Sequence, residues 1–212
     1  MSVAARRSGW AVFWLVVAIA AAWFLTDSFR FIAAREAPAG ETLWGRCVWY
    51  FAHVALAIPV LLIAPLQFAA TLRTRWPVLH RVLGRFYLAA SLLAGVFAVH
   101  LGRTIATPET QVPLTLFALV WIGFVLIAWQ AARLRRFDLH RGFVTRATAL
   151  ALSFVWVRMM AAGDGLLLGF VENIELRAAT RGWLSFVLPL LVVEAWLSWW
   201  PAAKPLFARR PD

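Results

Sequence analysis

Four histidines hold most of the chemistry this chain can offer, and two of them sit in a doubled pattern. Arg73, Arg75, Leu79, His80 and Arg81 recur as Arg133, Arg135, Leu139, His140 and Arg141, every pair offset by 60 positions. Each copy lies between two long apolar runs, so each reads as a basic turn with a histidine at the mouth of the next helix. The first turns of a helix expose free N–H groups and the positive end of the helix dipole. A histidine there, among arginines, is biased towards neutral imidazole, the form that ligates metals. Two such rings at one depth on neighbouring helices can grip a haem iron from both faces. The haem's anionic propionates would then lie against Arg81, Arg85, Arg141 and Arg146. His53 and His100 form a second pair towards the other membrane face, with Arg103 beside them. The pattern therefore permits a b-type haem on His80 and His140, and a second on His53 and His100. His80 and His100 are about 30 Å apart along one helix, a long step between two haems. No Cys-x-x-Cys-His is present, which excludes c-type attachment. The plainer reading of interfacial histidines is that they tie down turns or reach towards headgroups.

A second group of residues is polar or charged inside apolar runs: Arg158, Glu194, Gln67 and Gln130. An intramembrane charge costs a few kcal/mol, roughly, and is a functional candidate by default. Glu194 faces either Arg146 or Arg158 on depth alone. The group reads either as the lining of a polar cavity or as an ion pair between helices. A lone divalent metal on the histidine rings is disfavoured, because no carboxylate or thiol is placed to complete its shell. Phosphate loops, Ser-His-Asp order and His-Glu-x-x-His are absent too.

The elements that must position these residues are membrane helices. Of 212 residues, 63% are hydrophobic and 15% charged, and the mean hydropathy is +0.76. The apolar residues gather into runs near twenty long, without the period-two alternation of a membrane barrel. Six spans are expected, at about 10–26, 47–72, 82–101, 112–132, 142–162 and 183–200. They form an all-α integral membrane bundle and a single transmembrane domain. Its four-helix centre is about 47–162, with the first and sixth spans peripheral. Spans two and three, and spans four and five, make two hairpins of the same topology, the pattern of a parallel internal repeat. Gly84, Ala89, Ala90, Ser91, Ala94 and Gly95 suit span three to close packing at the centre. The segments 27–46 and 163–182 are expected to be loops or short interfacial helices.

The net charge of +11 is not a nucleic-acid signal here, because the arginines fall at the ends of apolar runs. With both termini inside, the inner segments hold Arg6, Arg7, Arg73, Arg75, Arg81, Arg133, Arg135, Arg136, Arg141, Lys204, Arg209 and Arg210. The outer ones hold Arg30, Arg35, Arg46, Arg103, Arg177 and Arg181. That asymmetry predicts a bacterial cytoplasmic (inner) membrane protein with both termini cytoplasmic. Its inner face would meet anionic headgroups. Cys47 is the single cysteine, which excludes an internal disulfide.

Pro65-Leu66-Gln67-Phe68, then Leu79, His80 and Arg81 with Gly84, Arg85, Phe86 and Tyr87, then His140 and Arg141 with Arg146, and finally Arg158 and Met159, carry a family resemblance. The chain resembles the bacterial multi-pass membrane proteins of domain of unknown function 2306. The resemblance covers spans two to five and implies fold and location, not activity. Two functions stay open on the residues. One is a b-type haem protein moving electrons between quinone, or another membrane donor, and a redox partner. The other is a non-enzymatic membrane subunit of a larger complex, or a small-solute transporter, with Arg158, Glu194 and Gln67 in a polar cavity.

Overall fold

Proline opens two of the long helices. Its missing N–H and fixed φ suit the first helical position, where no intrahelical bond is lost. In the computed structural model, Pro77 starts α3 (Pro77–Thr104) and Pro108 starts α4 (Pro108–Arg133). The structure describes residues 43–207 except Ile105, together with eight scattered positions between 12 and 26. The expected first span and most of the segment 27–46 lie outside the described residues. Within 43–207 the chain forms α1 (Leu43–Phe68), the short α2 (Ala70–Arg75), α3 and α4. It continues through α5 (Phe137–Ala151), α6 (Ser153–Ala162), α7 (Asp164–Leu167) and α8 (Ile174–Glu194). A π-helical turn (Ala195–Trp199) then leads into α9 (Trp200–Phe207). The described residues contain no strand.

Five stretches among the described residues are long and apolar enough to cross a membrane: Val48–Phe68, Pro77–Thr104, Pro108–Arg133, Phe137–Ala162 and Ile174–Phe207. Only 17–39% of each stretch's apolar window is buried inside the protein, so most of its surface faces outward. Exposed Leu62, Leu93, Leu119, Leu126 and Val192 belong to that surface. Apolar area on this scale is stable only under lipid.

Helix α3 packs against α1 on one side and α4 on the other; α4 also packs on α5 and α8, and α6 packs on α8. Glycine sets the α3–α4 spacing. A Cβ on Gly95 would stand 2.6 Å from Ile122 Cγ1, and one on Gly102 would stand 3.1 Å from the Thr115 backbone nitrogen. Only small residues let two backbones come this close. Ala90, Ser91 and Ala94 are buried on α3, opposite Trp121, Val125 and Ala128 of α4 in the same core. Helices α3 and α5 face each other across the bundle and are joined by one hydroxyl pair, Tyr87 Oη to Thr148 Oγ1 at 2.8 Å.

The two basic turns begin their helices alike but are built differently. His80 N–H bonds Trp76 O at 3.0 Å and His140 N–H bonds Arg136 O at 2.9 Å, in equivalent first turns. Ahead of them, Arg73 and Arg75 belong to the helical turn α2, whereas Arg133 ends α4. There Arg136 N–H reaches Ala131 O and Arg135 N–H reaches Ala132 O, with Arg135 left-handed at φ 56°. This is the Schellman cap, with arginine where glycine is usual. The last expected span is longer than its apolar core: α8 starts at Ile174, capped by Asn173 Oδ1, which accepts from Leu176 N–H at 2.8 Å. Residues 201–207, beyond the last expected span, are helical.

Candidate functional site at the basic end of the bundle

The doubled turn brings His80 and His140 to the same end of the core. Each sits in the first turn of its helix and is half-buried. His80 lies within electrostatic reach of both His140 and Arg73. The two imidazoles have different partners. His140 Nδ1 is 2.8 Å from Ala128 O on α4. A carbonyl only accepts, so Nδ1 carries a proton, and the neutral form of this ring has its lone pair on Nε2. His80 Nδ1 is buried with no hydrogen-bond partner among the described residues.

Gln67 closes the last turn of α1 and lies over Gly84, one turn beyond His80 on α3. Gln67 is 8% exposed, its Nε2 has no partner among the described residues, and its Oε1 lies 3.1 Å from where a Cβ on Gly84 would stand. Arg73 curls back over this turn, giving Nη1–H to Gln67 O at 3.3 Å and to Phe68 O at 3.1 Å. A helix end leaves its last carbonyls open, and a cation there satisfies them and the dipole together. Arg81, Arg85 and Arg141 are exposed around this end.

Arg146 is already engaged. Its Nε and Nη2 donate to the two carboxylate oxygens of Glu194, the second bond at 2.9 Å, and its guanidinium carbon stands 5.2 Å from the Phe143 ring centre. Ser198, on the π turn, donates to the same carboxylate at 3.0 Å. Such turns recur where a helix must re-aim a side chain. The pair binds α5 to α8 and takes Arg146 out of the free cations near His140. Arg158 is half-buried on α6, and Gln130 is exposed on α4.

The other two histidines sit at different depths. His53 is buried, gives Nδ1–H to Ala94 O at 2.9 Å, and packs on Phe154 with ring centres 5.2 Å apart. His100 lies six residues further along α3 than Ala94 and leans on Trp49 at 4.3 Å. Six residues are about 9 Å along a helix, so these rings share no level. No group of three His, Cys, Asp or Glu able to hold a metal ion occurs among the described residues.

Sequence reasoning missed two features. One is Arg73 as the cap of α1. The other is a clasp at the opposite end, where Asp164 accepts from Arg181 and, at 3.3 Å, from Arg177. Arg177 also bonds the carbonyls of Val171 and Gly169. The Arg181 hydrogen bond, with Arg177 behind it, holds the Asp164 carboxyl below its ordinary range. The signal was present: two arginines four apart share one helix face, a matched pair for one carboxylate.

Comparison with curated proteins and with solved structures found no match. Comparison with family models matched residues 50–197, that is 148 of 212 positions, to the family described as predicted membrane protein, domain of unknown function 2306. The match spans α1 to α8, including both basic turns and the Arg146–Glu194 pair. With more than half its length in that match, the chain belongs to this family of membrane proteins.

Proposed function

We propose that this chain is a b-type haem protein of the bacterial inner membrane, moving electrons between quinone, or another membrane donor, and a redox partner. His80 and His140 would hold the haem iron. The observation behind this reading is the His140 ring: its Nδ1–H is held by Ala128 O, which leaves Nε2 as the nitrogen available to a metal. A ligating histidine characteristically gives its other N–H to an acceptor of this kind. His80 begins the helix across the bundle and lies within electrostatic reach. The residues fit the group with one change from the sequence reading. Arg81, Arg85 and Arg141 remain to meet the propionates, while Arg146 serves Glu194. What a haem supplies when bound is reversible one-electron chemistry at iron. The chain's part is to fix both imidazoles, to exclude water with the Tyr87–Thr148 layer above them, and to balance the propionate charge. His53 and His100, at unequal depths, are left out of the ligand set.

The reading includes both termini in the cytoplasm, a sixth span over 10–26, and hairpins α1–α3 and α4–α5 as a parallel repeat. Exposed Arg75, Arg81, Arg133, Arg136 and Arg141 then meet anionic headgroups, each gaining about 1 kcal/mol. The absorption spectrum tests the function. Protein purified from haem-replete cells should show a Soret band that His80→Ala and His140→Ala each abolish and His53→Ala leaves intact. Colourless protein would overturn it.

One observation favours a second reading. Arg146 and Glu194 form an ion pair within the spans, as expected of a non-enzymatic membrane subunit or a small-solute transporter with an Arg- and Glu-lined cavity. Solute flux into proteoliposomes that is lost in Glu194→Gln, in colourless protein, would select it.

A further inference from the structure

We infer that Gln67 and His80, at either side of Gly84, bind a quinone head group, one carbonyl oxygen of which accepts from both Gln67 Nε2 and His80 Nδ1. The inference names the quinone partner of the site proposed above and shares His80 with it, but it does not require that a haem be present.

It begins from a difference between the two halves. At the 60-residue offset, His140 corresponds to His80 and Ala128 to Phe68. In the second half the Ala128 carbonyl accepts from His140 Nδ1. In the first half the Phe68 carbonyl accepts from Arg73 instead, at 3.1 Å, and His80 Nδ1 is left buried without a partner. One turn along α3, the Gln67 amide lies over Gly84, and its Nε2 is also unpartnered although the residue is 8% exposed. The corresponding positions in the second half are Ile127 and Val144. One half thus has its histidine paired and apolar residues at the matching positions, and the other presents two buried nitrogens without partners, the Gln67 amide donor and a His80 Nδ1 that donates in its Nδ1–H tautomer, beside a residue with no side chain. Buried donors in native proteins are nearly always paired, so two together point to an acceptor from outside the chain.

The donors define that acceptor. A carbonyl oxygen has two lone pairs and takes both bonds. The innermost donor is a neutral amide, and Arg73 has committed Nη1 to the carbonyls of Gln67 and Phe68, which suits a neutral oxygen better than a carboxylate. Exposed Leu66 and Leu79, next to the two donors in the chain, offer an apolar flank to the tail of a molecule entering from lipid.

The test is calorimetric titration of the full-length protein in detergent with decylubiquinone, the Soret band being read on the same samples. Saturable binding is expected, weakened about tenfold in Gln67→Leu by loss of one hydrogen bond. Gly84→Ala, whose new methyl crowds the Gln67 amide, should also weaken it. Arg73→Ala should do so by returning Phe68 O to His80, while Arg133→Ala leaves binding unchanged. Binding absent from folded wild type would overturn the inference, as would binding indifferent to all of Gln67→Leu, Gly84→Ala and Arg73→Ala in variants of native helicity; the two donors then hold only water or a lipid ester. A Soret band without quinone binding defeats this inference alone. Quinone binding without a Soret band supports it and defeats the haem.

Discussion

Removing one member of the Arg146–Glu194 pair should cost the fold more than removing both. Arg146 lies nine residues beyond the start of α5 at Phe137, about 13 Å along the helix. Glu194 lies thirteen residues before the end of α9 at Phe207, about 20 Å along the helical path. Both therefore lie within the apolar stretches of their helices, with side chains only 17% and 27% exposed. Two N–H groups of Arg146 and the Ser198 hydroxyl satisfy the carboxylate. Glu194→Leu leaves a guanidinium without its acceptor, and Arg146→Met leaves a carboxylate with one hydroxyl. Breaking a buried pair in this way costs about 3–5 kcal/mol, and the partial exposure here reduces that to about 2–4. The double variant replaces two charges with packed apolar chains and should lose only about 1 kcal/mol. The coupling in the cycle is then at least about 3 kcal/mol. Reversible unfolding by dodecyl sulfate in mixed micelles, followed by far-ultraviolet circular dichroism, measures each corner. Single losses that add to within about 0.5 kcal/mol of the double variant would refute a fold-spanning ion pair.

Other substitutions probe the framework in the same assay. Arg135→Gly should stabilise by up to about 1 kcal/mol, because the left-handed conformation strains an L side chain and not glycine. Gly95→Ala should destabilise by about 1–3 kcal/mol, since its methyl meets Ile122 Cγ1 at 2.6 Å, while Gly123→Ala, which meets nothing within 4 Å, should be neutral or mildly stabilising. Asp164 titrates below the ordinary carboxylate value because Arg181 and then Arg177 hold it ionised. Its contribution is therefore complete above about pH 4 and lost as pH falls through the depressed value. Melting temperature should drop across that acid window in wild type, and the drop should be smaller in Asp164→Asn.

Membrane helices were legible wherever twenty apolar residues run together, and α1, α3, α4 and the α5–α6 pair fall where hydropathy puts them. The ends were less legible, for identifiable reasons. Pro77 reads as a breaker but serves as the first residue of α3, so that helix begins five residues before the expected 82. Arg177 and Arg181 read as loop charges. Both turn back onto Asp164, Arg177 also onto backbone carbonyls, which lets α8 start at Ile174. The Tyr87–Thr148 bond joins residues 61 apart, and no local pattern announces it. Placement of His80 and His140 at helix starts followed from their position after the basic turns. Their unequal surroundings did not follow, because hydrogen-bond competition is decided in space.

That competition is settled upstream of the histidines, by where each preceding helix stops. Helix α1 has prolines at 59 and 65 and ends at Phe68, with Ala69 extended. Its final carbonyls are thereby opened towards the turn, and Arg73, five residues on, is placed to take them. Helix α4 carries no proline in its second half and runs on to Arg133, where a backbone cap satisfies the carbonyls of Gln130, Ala131 and Ala132 without help from a side chain. The Ala128 carbonyl sits one turn before that cap and is met by His140 rather than by an arginine. A histidine at the same offset in each half thus has its Nδ1 met by a backbone carbonyl in one case and left without a partner in the other. Moving a helix end by a few residues is enough to give the two histidines different surroundings, with no change to the histidine itself.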